Sequence, residues 1–287
     1  MAAQKWADTA RLSEGYQNPE AQQTIETLQS LLEGKSTPQD AAQKLVSAYE
    51  PLIRENPNDI RIGSIWGIFC EAVKVLGDNE EIDTRLVHLL RALKDSSIVI
   101  NGRDEAVRHE WGGVYWSDLP MLALMFREYG INIDPDEDMD QSEWLAQAKP
   151  FLNATTFAAT CLSRDPSVLD MSLHVQVCFM EAFEVPSEPQ EPGARAFMYV
   201  PPAATWIMLA GKQIHQLCME NYQRNDTVPG REGLLWTGSG FSPERWAFWK
   251  KRFSETQKML ELDSRVREHA GKALVEMDRI DGVSGAH

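Results

Sequence analysis

Asn79-Glu-Glu-Ile-Asp-Thr-Arg-Leu-Val-His-Leu-Leu-Arg-Ala-Leu-Lys-Asp95 is the stretch that decides the fold class. Its apolar residues Ile82, Leu86, Leu89, Leu90 and Leu93 recur at the three- and four-residue spacing of one helical face, with Glu80, Glu81, Arg85 and Lys94 off that face. The same punctuation continues outward. Asn18-Pro19 and Thr37-Pro38 each place a capping side chain before a proline at the first helical position. Gly34 and Gly77 stand where helices are expected to end. Ile60 to Leu76 is apolar on more than one side, which predicts an interior helix. Further helices are expected from Ser117 to Glu128, Ser142 to Leu162, Pro166 to Phe183 and Ala203 to Tyr222. No long window alternates apolar and polar residues between turn signals, and Ser97 to Ile100 is the best strand candidate. The expected fold is therefore all-α: an irregular bundle of eight to ten helices with little or no sheet. We expect one helical domain over residues 1–287, with 1–17 a loose N-terminus and 241–281 a C-terminal helical segment packed on the body.

The chain carries 43 Asp and Glu against 28 Lys and Arg, a formal net charge of −15. A field of that sign repels phosphate backbones and anionic lipid, so nucleic acid and membrane surfaces are not expected partners. Met1 to Tyr16 has no apolar core of a signal peptide, and the apolar run Pro201 to Gly211 is too short to span a bilayer. Cys70, Cys161, Cys178 and Cys218 show no metal or redox spacing and read as buried free thiols of a reducing, cytoplasmic compartment. The asparagine triplets at Asn153 and Asn225 are chance matches to a glycosylation signal in such a setting.

Three constellations could carry chemistry. Asp134, Asp136, Asp138 and Asp140 alternate like the opening of a calcium loop, but Met139 stands where the loop's glycine belongs and Leu145 where its closing glutamate belongs. They also resemble a magnesium-binding aspartate cluster, but Pro135 disfavours the helix such a cluster needs. A solvated acidic loop is the reading we adopt. The second constellation is Arg108 to Asp118. His109 could carry a proton, with Glu110 or Asp118 orienting it, Tyr115 beside it, and Trp111 and Trp116 as pocket walls. No second histidine stands at metal-ligand spacing, so no metal site is expected. The plainer reading has Ser117 and Asp118 capping the next helix while the two tryptophans pack. The third is Phe241 to Phe253. Ser242 and Pro243 begin a helix on which Trp246, Trp249 and Phe253 share one face, with Arg245 and Lys250 mostly elsewhere. A basic-aromatic mix can stack on single strands, but a shared helical stripe in an acidic chain argues core packing. The remaining histidines stand alone on helical segments, Gly238-Ser239-Gly240 is not a nucleophile elbow, and no phosphate-cradling loop is present.

Leu235-Trp236, Gly240 to Phe253 with its Arg245-Trp246-x-x-Trp249 core, and Ala270 to Met277 resemble a family of filamentous-fungal proteins, domain of unknown function three-six-three-two. Trp116 to Pro120 fits it less distinctively, and the resemblance covers roughly Ser36 to Met277. It implies a fungal source and a helical fold, and no activity or cofactor. Members occur as accessory proteins near fungal secondary-metabolite pathways.

Two roles follow as expectations. The first is a non-catalytic binding protein whose acidic loops meet a protein partner. The second is a cofactor-free enzyme or binder acting on an apolar small molecule by isomerisation or cyclisation, which would need a cavity reaching His109 or Tyr115. The first is preferred, because no catalytic constellation stands out.

Overall fold

A computed structural model describes residues 1–131, 140–186, 192–224 and 235–284. These residues hold α-helices, short 3₁₀ and π turns, and no strand beyond two isolated bridges, Ile100 to Ala106 and Arg108 to Val114. The expected all-α bundle is what the chain forms. The strand candidate at Ser97 to Ile100 contributes only one of those bridges. The chain divides into two compact units, Met1–Asn132 and Ile133–His287.

In the first unit the helices are α1 (Ala2–Arg11), α2 (Pro19–Leu32), α3 (Pro38–Glu55), α4 (Ser64–Leu76), α5 (Glu80–Lys94) and the short α6 (Leu122–Met125). The starts of α2 and α3 are set by the capping residues the sequence singles out, and that of α5 by Asn79. The Asn18 side chain accepts from the Ala21 amide at 2.8 Å. Thr37 and Asp40 close a reciprocal capping box. The Asn79 carboxamide accepts from the Glu81 and Ile82 amides. Residues 1–17, expected to be loose, are largely helical. α1 buries Trp6, Ala7 and Ala10 against α2 and α4, and these apolar residues recur at helical spacing. α4 is buried on most of its circumference, through Ile65, Trp66, Phe69, Val73 and Leu76. Tyr49 links three helices. Its hydroxyl lies 2.9 Å from the Thr24 hydroxyl on α2 and 3.0 Å from that of Ser64 at the start of α4.

The helix expected over Ser117 to Glu128 is mostly not there. Trp116, Leu119 and Met121 all take positive φ, and only Leu122–Met125 is α-helical before a π turn over Phe126–Ile131. Pro120 supplies the reason, since it bars its predecessor from the helical region. α5 obeys its apolar pattern, with Leu86, Leu89, Leu90 and Leu93 buried and Ile82 half-buried. It also buries Asp83, one turn before Leu86 and Val87 on the same face.

In the second unit the helices are α7 (Gln141–Ala146), α8 (Ala148–Arg164), α9 (Ser172–Phe179), α10 (Pro192–Met219), α11 (Pro243–Lys258) and α12 (Ser264–Ser284). The single helix expected from Ser142 to Leu162 is divided at Gln147. Pro150 lacks the amide that would bond back to Ala146, so the ladder breaks there. α9 starts at Ser172, six residues later than the sequence reading places it. The Asp170 carboxylate accepts from the Ser172 amide and hydroxyl at that point. α10 passes through Pro201 and Pro202 and kinks at Ala210. It lies against α8, α9, α11 and α12, and its residues 198–207 are buried throughout. That packing overrides the local cost of the prolines. Asp140 of the acidic loop caps α7 through the Ser142 and Glu143 amides. Asp134, Asp136, Glu137 and Asp138 lie outside the described residues.

Asp83 is fully buried, and neither carboxylate oxygen has a hydrogen-bond partner. Desolvation, with the nearby Asp78 charge adding to it, pushes its pKa up to about 8 from an ordinary 3.8. The folded chain therefore holds a proton that the unfolded chain has lost, and this group's contribution falls as pH rises from about 4 to about 8. Asp83→Asn should remove that slope. Urea midpoints of the wild type and variant should differ little near pH 3.5, below both titrations. By pH 8.5 the variant should be the more stable, on the order of 5 kcal/mol. Parallel pH profiles for the two proteins would refute the assignment.

Candidate functional site

The Arg-Trp-x-x-Trp segment lies on α11 in the second unit, and its partners come from the turn that ends α9. There the chain runs through a π turn over Met180–Glu184, closed by the Val185 amide donating to the Met180 carbonyl at 3.0 Å. The wider turn lets Phe179, Phe183 and Glu184 all point inward. Glu184 is 1% exposed. Its two carboxylate oxygens accept from Nε and Nη2 of Arg245, each at 2.8 Å, in the bidentate geometry that suits guanidinium to carboxylate. The Trp249 indole N–H donates to the same carboxylate at 2.7 Å, and the Leu235 amide donates to the Glu184 backbone carbonyl at 2.7 Å.

Arg245 is engaged on every side. Its Nη1 donates to the Gly240 carbonyl, and its guanidinium carbon lies 5.2 Å from the centre of the Trp249 ring. Gly240 takes φ +65 and lies against the Gln223 side chain, so a residue with a Cβ would be both strained and crowded there. Around this charge pair stands an aromatic cluster. Trp249 is 4.4 Å from Phe179 and 6.2 Å from Phe241, centre to centre, and Phe183 is 4.6 Å from Phe253. Trp246 faces α12 and α10. Its indole N–H donates to Asp281 at 2.9 Å, its ring meets His215 at 5.0 Å, and Asp281 also accepts from Lys250. The stripe that the sequence assigns to packing is thus a packing stripe with a buried ion pair at its centre. Sequence reasoning missed Glu184. Its one visible signal is a glutamate closing the apolar run Met180 to Phe183.

In the first unit, the segment His109 to Asp118 forms a chain of tight turns rather than a helix start. Gly112 and Gly113 take φ +96 and +87, and the His109 amide donates to the Gly113 carbonyl at 3.1 Å. Asp118 accepts from the Val114 amide at 2.7 Å, so it closes its own turn instead of capping the following helix. Tyr115 is buried, and its hydroxyl donates to the Pro57 carbonyl. Burial pushes the phenol up to about 12, which leaves it an unsuitable proton acceptor near neutral pH. His109 is half-buried, with its ring edge-on to Trp111 and Tyr115 at 5.6 and 6.3 Å, and its Nδ1 accepts from the Trp111 amide at 3.2 Å. Glu110 and Asp118 are exposed. Trp116 packs in the interior, with its indole N–H lacking an acceptor. Trp111 points outward, against the expectation that both tryptophans pack. The structure brings His109, Trp111 and Tyr115 together, and it gives Asp118 and the Tyr115 hydroxyl backbone partners.

The four cysteines are free and buried, and burial pushes the Cys70 and Cys218 thiols up to about 12, which makes them poor nucleophiles. Among the described residues no group of three His, Cys, Asp or Glu is placed to hold a metal ion, and no helix is long and apolar enough to cross a membrane.

The profile of the family described as "Protein of unknown function (DUF3632)" matches residues 66–253, about two thirds of the chain. The protein belongs to that family. The match lies inside the span of the resemblance read from sequence and ends on Phe253, holding Glu184, Arg245 and Trp249 together. No curated protein and no solved structure is similar to the chain.

Removing one member of a buried ion pair leaves the other charged and unpaired, a loss of about 3–5 kcal/mol. Arg245→Met should therefore lower the stability measured by urea denaturation by about that amount. Adding Glu184→Leu should recover part of the loss. Full recovery is not expected, because the Trp249 indole and the Gly240 carbonyl would still lack partners, at about 1–3 kcal/mol each. An Arg245→Met protein that unfolds at the wild-type midpoint would show that the pair does not hold the unit together.

Proposed function

We propose that this protein is a non-catalytic helical interaction protein. One observation carries the reading. The polar groups of the Arg-Trp-x-x-Trp segment are engaged internally: Arg245 and Trp249 with Glu184, and Trp246 with Asp281. A catalytic group must have a face to offer a substrate, and these have little left to offer. The second candidate set gives the same support, since Tyr115 and Asp118 are held by backbone groups and the Tyr115 phenol is a poor base. Hollows beside α2 and α3 and at the start of α5 are open and lined by groups such as Gln23, Ser30, Lys44 and Glu81, which is not the lining an apolar metabolite requires. No cofactor enters this reading, and the partner is a protein.

Native mass spectrometry of the protein purified from its own host, followed by organic extraction, tests the proposal. The expected species is a stoichiometric protein complex beside the bare chain. A stoichiometric small molecule released by the solvent would overturn the reading and favour a metabolite enzyme or binder.

A further inference from the structure

Trp111 stands apart in the first unit. It is 68% exposed at the tip of a set of tight turns. An exposed tryptophan costs solvation wherever it stands, and tryptophan is the residue most enriched among the anchors of protein interfaces. Its surroundings are built to hold it still. The Trp111 amide donates to Nδ1 of His109, the Glu110 amide donates to the Asn58 carboxamide at 3.0 Å, and the Tyr115 hydroxyl reaches the Pro57 carbonyl. The last two bonds lock the tip to the segment that follows α3. That segment presents Ile60, which is 92% exposed. Val107 ties the base of the tip to Val99, next to the half-exposed Ile98. Three large apolar side chains are therefore offered to solvent from loops cross-linked by hydrogen bonds. Among the described residues, four of the five non-glycine residues with positive φ lie between Asp104 and Met121, so backbone strain gathers in this segment.

The charges around the tip select the occupant. Asp104, Glu105, Glu110 and Asp118 are exposed there, against Arg103 and Arg108. A second copy of a chain with net charge −15 would bring like charge to like, and anionic lipid would do the same. A cationic side chain would meet both the carboxylates and the face of the indole. We infer that Trp111, with Ile60 on the segment bonded to its loop, is a preorganised anchor for a protein segment that carries apolar residues flanked by arginine or lysine. This inference rests on the interaction reading above and names the surface and the partner chemistry. Holding the tip rigid lowers the entropy lost on binding, which is what a loop anchored by two hydrogen bonds to a neighbouring segment, and by one within itself, accomplishes.

The test uses the full chain labelled with ¹⁵N at its tryptophan indoles, with the Trp111 signal assigned from Trp111→Phe. Three ten-residue peptides are titrated: leucine with arginine, leucine with glutamate, and serine with arginine. The expected result is a saturable shift of the Trp111 indole with the first peptide only. Affinity should fall at least about tenfold in Trp111→Ala and in Ile60→Ser. An equal response to the glutamate peptide, or to the serine peptide, would overturn the inference, as would no response to any. A concentration-dependent dimer abolished by Trp111→Ala would assign the surface to a second copy instead, and a shift produced by phosphatidylcholine vesicles would assign it to lipid. Trp111→Ala should melt with the wild type; if it does not, the Trp111→Phe and Ile60→Ser affinities decide. A natural complex that survives Trp111→Ala in native mass spectra would remove this surface while leaving the interaction reading intact. A bound metabolite would remove both.

Discussion

The carboxylate of Glu184 is the constraint on which the second unit depends. It is buried in the interior, and an isolated ion there would be unstable by several kcal/mol. It is tolerated because three donors converge on it, two from Arg245 and one from Trp249. Each donor has a further partner. The guanidinium lies over the Trp249 ring and donates to the Gly240 carbonyl, and that carbonyl can be reached because Gly240 takes a conformation other residues avoid. One buried charge thus fixes the rotation of α11, the turn ahead of it and the end of α9. Apolar packing alone would fix these less sharply, since an aromatic layer can slide where a bidentate pair cannot.

This arrangement explains why a segment so rich in chemical groups does not point to a reaction. Arginine and tryptophan are common in binding sites because they combine area with directed donors. The same properties make them good fastenings inside a fold. Burial tells the two uses apart. Trp249 and Arg245 are buried and internally paired, whereas Trp111 is exposed and its ring stands across the imidazole of His109. Within one chain, the tryptophans of the Arg-Trp-x-x-Trp motif are fastenings, and the turn segment His109 to Asp118 carries the outward-facing ring.

How much of this could be read from sequence follows from the range of the interactions. The caps at Asn18, Thr37, Asn79 and Ser242 act over two or three residues, and the sequence displays them directly. The stripe of Trp246, Trp249 and Phe253 is also local, because helical spacing alone puts it on one face. Glu184 is not local. It stands 61 residues from Arg245, and its inward direction depends on a π turn that shifts the register by one residue. Asp83 escapes notice for a different reason. Among the acids of the first turn of α5 it looks like one more charge favouring a helix start, and only its alignment with Leu86 and Leu90 sets it apart. The breaks at Gln147 and before Leu122 were open to reading, since Pro150 and Pro120 mark them, but apolar periodicity on either side masks a break when the helices on both sides face one core.

The buried acids of the two units show opposite solutions to one problem. Glu184 keeps its charge company with a guanidinium and an indole, and so it orders the elements around it. Asp83 has no such partner, and burial raises its proton affinity until the neutral form persists well above the ordinary carboxylate range. The first arrangement rigidifies, because any rotation of α11 breaks two directed bonds at once. The second leaves its helix held by apolar contacts and by Arg85, which reaches across to the Leu32 carbonyl at the end of α2. The buried ion pair of the second unit thus sits on the Arg-Trp-x-x-Trp segment. The first unit joins its apolar faces through neutral links such as the Tyr49 hydroxyl, and its strained, hydrogen-bonded tip leaves an aromatic ring in solvent. A rigid motif with its polar groups turned inward, and a separate rigid loop with its apolar groups turned outward, is the division expected where recognition and structural integrity are assigned to different residues.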